Sequence, residues 1–262
     1  MPTLTIKRQA SGVTTLTMAR PEVFNAFDEA MIAEMDAAFA ALIDDTSVRI
    51  IILAGAGKHF SAGADLQWMR RASTASFEWN VEDARRFARM LARIDSCPKP
   101  TVARVHGAAL GGGVGLACAC DLAIASDVAS FCLSEAKFGI LPAVIGPYLV
   151  NAVGKRQARR LALTAERINA TEALSMDLVH RVVPAVELDQ AIEECVKQLS
   201  TGGPNAHREI KEYLAQLEVG PVTPEVRELT AQTIARVRGT DEAREGFNAF
   251  LNKRPPNWTA QP

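Results

Sequence analysis

The chain reads as an α/β protein with a helical C-terminal appendage, on three observations. Residues 49–54 (RIIILA) and 101–105 (TVARV) are short, continuously apolar runs of the kind buried on both faces of a parallel sheet. Each is followed by a glycine-rich loop and a helical stretch, so strand, loop and helix recur in one order. From residue 188 onward only helical periodicity is left.

Taken in order, residues 4–7 alternate as a strand, Gly12 turns the chain, and residues 13–18 form a second strand, which predicts a hairpin. Asp28 is placed to cap a long amphipathic helix with Met31, Met35, Phe39 and Leu42 at helical spacing, a stripe that reads as core packing. The strand at 49–54 runs into GAGKHFSAGADLQWM (55–69). Here the small-residue turn Ser61-Ala62-Gly63-Ala64-Asp65 leads to a helical stretch, with Asp65 as its cap on local grounds. Residues 77–94 read as another amphipathic helix, ended by Pro98 and Pro100. The run at 101–105 passes through His106 and Gly107 to the triple glycine Gly111-Gly112-Gly113. A small-residue helix over 114–120, a second apolar run at 122–125 and an isolated acid, Glu135, follow. Pro142 and Pro147 bracket a loop before helices at 148–153 and 155–164; residues 170–176 predict a short helix and 178–183 a strand. Helices are predicted at 188–199, 206–217, 224–237 and 242–251, which divides the chain into a core over 1–200 and a helical region over 201–262.

Composition narrows the function classes. With 262 residues, 48% apolar and 23% charged, the chain fits a globular protein with a substantial core. A net charge of −1 suggests neither a nucleic-acid surface nor a membrane-seeking face, and no apolar run approaches the ~20 residues of a spanning helix. The segment MPTLTIKRQ has no apolar signal core, so a cytoplasmic location is expected. The five cysteines form no CxxC pair and read as buried thiols; the four histidines are scattered, so no metal site is expected.

Three familiar site motifs fail. Gly57-Lys58 resembles the end of a phosphate-binding loop, but the earlier glycine is missing and His59 stands where Ser or Thr is needed. His59 also breaks a nucleophile elbow around Ser61, and Gly113-x-Gly115-x-x-Cys118 lacks the third glycine of a dinucleotide fingerprint. What two glycine-rich loops after buried strands can do is bring two backbone N–H groups to one point, where they stabilise an oxyanion on a carbonyl. The acid nearest this machinery, Glu135, is flanked by Leu133, Phe138 and Ile140; apolar surroundings raise a carboxyl pKa and suit it to general acid–base work. The structural alternative for Glu135 is an acid in the first turn of a helix capped by Ser134.

The segments Phe60-Ser61-Ala62-Gly63-Ala64-Asp65, Lys99-Pro100, Gly107 with Gly111-Gly112-Gly113, and Cys120-Asp121 resemble the enoyl-CoA hydratase/isomerase (crotonase) superfamily. So do Asn25-Ala26 and the closing Phe250-Leu251-x-Lys253-Arg254-x-Pro256-x-Trp258, in order along nearly the whole chain. The resemblance implies a crotonase-like spiral of ββα units with a helical C-terminal trimerisation region, assembled as a trimer or a dimer of trimers. It implies an acyl-CoA thioester as substrate, with no cofactor beyond the coenzyme A it carries, and with Ala64 and Gly112 as oxyanion donors. By the same resemblance Ala62 lies along the adenine, Asp65 and Gly111 beside the CoA ester, and Lys253 near the CoA phosphates of the same or an adjacent subunit. Adjacency to the two loops adds Gln67, Trp68, Met69 and Phe131 as acyl-pocket candidates.

The chain departs from the family pattern at one carboxylate. Hydratases of this kind carry two glutamates; the second matches Glu135, and the first falls at Gly115. The glycine-rich loop after the second is also changed, to Pro142-Ala143-Val144-Ile145-Gly146-Pro147. A single base suits double-bond isomerisation on simple counting. Against that, the segment 111–154 is similar to bacterial methylglutaconyl-CoA-type hydratases, which implies a place in leucine or fatty-acid breakdown. The leading expectation is therefore hydration of a branched or carboxylated enoyl-CoA, with Glu135 as acid/base. The alternatives are an enoyl-CoA isomerase and a non-catalytic acyl-CoA-binding member.

Overall fold

The computed structural model describes residues 2–259. Its main sheet has six strands, β1 (Leu4–Arg8), β2 (Val13–Met18), β3 (Ile50–Gly55), β4 (Thr101–Val105), β6 (Leu122–Ser126) and β9 (Arg181–Val183), side by side in that order. The first two form the expected antiparallel hairpin; every later pairing is parallel. The apolar runs are continuous because alternate residues enter two different cores. Ile51, Leu53, Ala103, Val105, Ala123 and Ala125 face the larger one, and Ile50, Ile52, Val102 and Ile124 the smaller.

The larger core is closed by α1 (Glu29–Asp44), α3 (Phe77–Asp95) and α4 (Gly112–Ala119). The predicted stripe Met31, Met35, Phe39 and Leu42 is fully buried there, each side chain stabilising the fold by about 1.5–3 kcal/mol. The smaller core is closed by Leu188, Ala191 and Ile192 of α7 (Leu188–Ser200). Helix starts follow side-chain caps: Asp28 accepts the Met31 N–H at 2.9 Å, and Ser76 the Trp79 N–H at 3.1 Å.

A second, small sheet escapes sequence patterning. It consists of β5 (Ala108–Leu110), β7 (Ser130–Cys132) and β8 (Arg167–Asn169), each three residues long and therefore without a readable period. β5 and β7 run parallel, so the residues that follow each emerge at the same edge. The predicted strand at 178–183 shortens to β9; Leu178 and Val179 are apolar because they are buried in a turn after α6 (Ala170–Ser175), where the Leu178 N–H donates to Ala173 O at 2.9 Å. The predicted helices at 148–153 and 155–164 are α5 (Gly146–Thr164), interrupted at Gly154, whose φ of 72° and ψ of 159° are not helical.

Several resemblance motifs turn out to be ties between elements. Asn25 is fully buried and donates through Nδ2 to Ala56 O and His59 O, both at 2.8 Å. Lys99 Nζ donates to Leu42 O at 2.5 Å and Asp45 O at 2.6 Å, capping the end of α1. Asp121 Oδ2 joins the start of β4 to Lys211 Nζ of α8 (Pro204–Leu214), accepting from Thr101 N at 2.7 Å and from the lysine at 2.7 Å. After α9 (Pro224–Arg238) and α10 (Asp241–Leu251), Arg254 pairs bidentately with Glu245 at 2.7 Å. The Trp258 indole then donates to Thr201 O at 3.1 Å, while Arg49 Nη1 donates to Trp258 O at 2.5 Å. Ile234 of α9 and Phe247, Phe250 and Leu251 of α10 stand exposed, apolar side chains uncovered by the described residues. No helix among the described residues is long and apolar enough to cross a membrane.

Candidate active site

The two glycine-rich loops are stitched together by backbone. Ser61 bridges Ala109 of β5, with Ser61 N–H donating to Ala108 O at 3.1 Å and Leu110 N–H to Ser61 O at 2.9 Å. A second bridge joins Phe27 to Ala64: Phe27 N–H donates to Gly63 O at 2.7 Å and Asp65 N–H to Phe27 O at 2.8 Å. These bonds engage the neighbours of Ala64 but not Ala64 itself, whose N–H has no backbone acceptor among the described residues. Gly112 opens α4, so its N–H is one of the helix's unpaired first donors. Gly111 before it has φ +49°, a conformation that a side chain strains, and its N–H is held by Cys132 O at 2.8 Å. Two backbone N–H groups without a backbone acceptor among the described residues, one of them the first donor of a helix, therefore border one cleft, which is what holding a developing oxyanion requires.

That cleft has a volume of about 410 Å³, in the range of small-molecule sites. Ala62, Gly63, Ala64, Gly111 and Gly112 line one side of it. Glu135 joins them in the lining, just after β7, at the start of a short 3-10 turn, Glu135–Phe138. Its carboxyl lies against Gly111: a β-carbon at position 111 would sit 3.0 Å from Glu135 Oε1. Glu135 Oε2 is buried and has no hydrogen-bond partner. Burial pushes the Glu135 pKa above the ordinary 4.5, the one sizeable opposing influence being a backbone hydrogen bond. The structural alternative holds in part: Glu135 is the acid in the first turn of this 3-10 turn with Ser134 at its start, but Ser134 makes no side-chain cap bond and the turn is not an α-helix. A desolvated carboxyl with one oxygen unbonded, lining the same cleft as two free backbone N–H groups, has the character of a group that gives or takes a proton.

Apart from Ser134 the rest of the lining is apolar, including Phe27, Leu66, Trp68, Met69, Phe87, Phe138 and the segment Ile140–Ile145. Among the described residues no Lys, Arg or His lines it. The first family glutamate has no space either. A β-carbon on Gly115 would lie 2.8 Å from Ile145 Cβ and closer still to its Cγ2, so Ile145 covers that position.

The structure thus brings together Ala62, Ala64, Gly111, Gly112, Glu135, Trp68 and Met69, and leaves four expected residues elsewhere. Asp65 is a helix cap instead of a cleft residue, accepting Gln67 N–H at 2.8 Å while paired with Arg20 at 3.1 Å; it starts α2 (Leu66–Thr74). Gln67 points to solvent, because the helix turns it away from Trp68 and Met69. Phe131 is buried on the far side of β7 against Val114, Leu161 and Ile168, since alternate residues of a strand face opposite ways. Lys253 is exposed beyond α10 and does not line this cleft in the single chain. Sequence reasoning missed Phe87 and Ile145 as lining residues: the first was one apolar position of an amphipathic helix, the second one residue of an altered loop. Among the described residues no group of three His, Cys, Asp or Glu side chains converges as a metal site would.

The family profile described as enoyl-CoA hydratase/isomerase matches residues 8–261. A solved enoyl-CoA hydratase from Shewanella pealeana superposes with a TM-score of 0.94 at 42% identity, covering 98% of this chain and 96% of its own. A Rhodobacter capsulatus protein named "Probable enoyl-CoA hydratase" is 34% identical over 98% of both chains. A Streptococcus mutans protein named trans-2-decenoyl-[acyl-carrier-protein] isomerase is 32% identical over 96% of both.

Proposed function

The chain belongs to the enoyl-CoA hydratase/isomerase family, and from that membership we propose that this enzyme adds water across the α,β double bond of a branched enoyl-CoA bearing a second carboxylate, of the 3-methylglutaconyl-CoA kind. One observation carries the choice: the cleft offers a single carboxylate, Glu135, and Ile145 closes the position of the other. Hydration needs a group to hold the attacking water as well as one to serve the α-carbon. With no second acid among the described lining residues, and Ser134 the one hydroxyl there, we assign the holding of that water to the substrate's own carboxylate. A distal carboxylate in an apolar cleft without a cation stays basic, for the same reason that Glu135 does.

In this reading the thioester oxygen sits between the Ala64 and Gly112 N–H groups, which stabilise the enolate as it forms. The Glu135 carboxyl gives its proton to the α-carbon while the water oxygen bonds to the β-carbon. The surplus water proton returns to Glu135, so one water adds and the enzyme is regenerated. No cofactor is required beyond the coenzyme A of the substrate, and the cytoplasm is the fitting location. The exposed apolar face of α9 and α10 supports assembly with further copies of the chain, as a trimer or a dimer of trimers, and would bring Lys253 toward the CoA of a neighbour.

A second reading, double-bond isomerisation, is favoured by the same single carboxylate and by the isomerase relative. Purified protein mixed separately with 3-methylglutaconyl-CoA, 3-methylcrotonyl-CoA and a 3-enoyl-CoA tests both. Loss of conjugated absorbance with the first and little with the second supports carboxylate-assisted hydration; equal rates on the two sink it. Gain of conjugation with the third establishes isomerisation.

A further inference from the structure

Asp83 is a buried carboxylate to which the proposed reaction gives no task. It lies on α3 with only 7% of its surface exposed. Its Oδ2 accepts the indole N–H of Trp68 at 2.9 Å. Phe87, one helical turn further along the same face of α3, meets that indole edge-on, with ring centroids 6.3 Å apart and planes at 88°. One turn of α3 therefore grips the indole at two points.

The indole packs against the main core, but the helix that carries it is lightly anchored. No residue of α2 is fully buried, and its other ties to the rest of the chain are an exposed pair, Arg71–Glu29, and a bond from Asn80 Nδ2 to Ala72 O. Burying a carboxylate against a single neutral donor is an expensive way to fill space. What that cost secures is the direction in which the indole points.

The direction matters because of where the ring stands. Phe27 and Phe87 pack at 5.8 Å, and both back onto Gly112: a β-carbon there would collide with Phe27 Cε2 and lie 3.0 Å from Phe87 Cζ. Trp68 is the next ring beyond Phe87 and also lines the cleft. An acyl group whose carbonyl is held at Gly112 grows out along this aromatic wall. We propose that Asp83 is a positioning residue that sets acyl-chain selectivity, holding the Trp68 indole as a fixed end wall so that short acyl groups are preferred to long ones. This rests on the acyl-CoA reading of the cleft given above.

The test is the ratio of kcat/KM for crotonyl-CoA to that for trans-2-decenoyl-CoA in Asp83→Ala, Asp83→Asn, Trp68→Phe and Asp83→Ala/Trp68→Phe proteins. Asp83→Ala and Trp68→Phe should each lower it by about tenfold, the scale that one methylene is worth in an apolar pocket. Asp83→Asn, which keeps an acceptor oxygen, should retain the ratio, and the double variant should lose no more than either single one. An unchanged ratio in either folded single variant, or additive losses in the double, overturns the proposal; Trp68→Phe carries the test alone if Asp83→Ala does not fold. Should the parent protein turn over neither ester, as carboxylate-assisted hydration allows, the ratio is read instead as that of the Kd values for butyryl-CoA and decanoyl-CoA by calorimetry. The acyl-CoA reading falls separately if neither of these binds. The indole is then read directly, in a Trp79→Phe/Trp258→Phe background that leaves Trp68 the one tryptophan of the chain. Asp83→Ala should shift its emission, and an unshifted spectrum overturns the grip itself.

Discussion

Ile145, in the loop before α5, lies so close to Gly115 of α4 that a β-carbon on the glycine would stand 2.8 Å from the isoleucine Cβ. Two effects oppose each other at this glycine. Replacing an interior helix glycine by alanine gains about 1 kcal/mol of helix propensity. Forcing a methyl group into a filled core costs about 1–3 kcal/mol. Packing wins, so Gly115→Ala should lower the melting temperature. The same change in an Ile145→Ala background should raise it, and thermal unfolding of the four proteins checks the reversal of sign.

Glu135→Gln keeps the shape of the side chain and removes its proton chemistry. General acid–base catalysis contributes about 10²–10⁴ in rate, so kcat should fall by that range while acyl-CoA still binds. Steady-state kinetics with a calorimetric titration of a saturated acyl-CoA separates the two, and near-normal turnover removes Glu135 from the mechanism.

The same substitution has a stability signature with a definite sign. Burial raises the folded-state pKa of Glu135 above 4.5, so the stability tied to its neutral form is fully present below pH 4.5 and is lost as pH rises through the folded value. Glutamine never ionises. Glu135→Gln should therefore melt above the parent protein at pH 7.5, the gap closing as pH falls toward 4.5. A constant gap across this window would contradict the burial of an unpaired carboxyl.

Gly112→Ala should uncouple binding from chemistry. The new methyl group collides with Phe27 and would displace the N–H that the proposed reading sets against the thioester oxygen. Loss of one oxyanion donor costs about 10²–10³ in kcat, so stopped-flow turnover should fall by that much with a smaller change in KM.

The parts of the molecule legible in the sequence are those whose signal is local. The stripe on α1 and the continuous runs of β3 and β4 have periods long enough to read, and Asp28 announces its own helix. The pair of glycine loops and Glu135 could be named from residue type. What placed them together could not, because β5 and β7 are three residues long and their pairing joins Ala108 to Ser130 across a whole helix and strand. Phe131 was misjudged for a related reason: proximity in sequence to a loop says nothing about which face of a strand a side chain takes. Asp65 belonged to the local signal after all, being the helix cap that its position suggested.

The bridges Phe27–Ala64 and Ser61–Ala109 have a kinetic consequence. Each closes a loop of dozens of residues, and the site is complete only when Phe27, Ala64, Gly112, Glu135 and Ile145 have all met. Such long-range closures are entropically costly until the surrounding parallel sheet exists, which makes them late events in refolding. A chain recovering from denaturant should therefore regain its helical signal well before any of its activity. A nascent chain stopped short of Ile145 carries both glycine-rich loops in its sequence but lacks the residue that covers Gly115 and the strand β9 that completes the sheet.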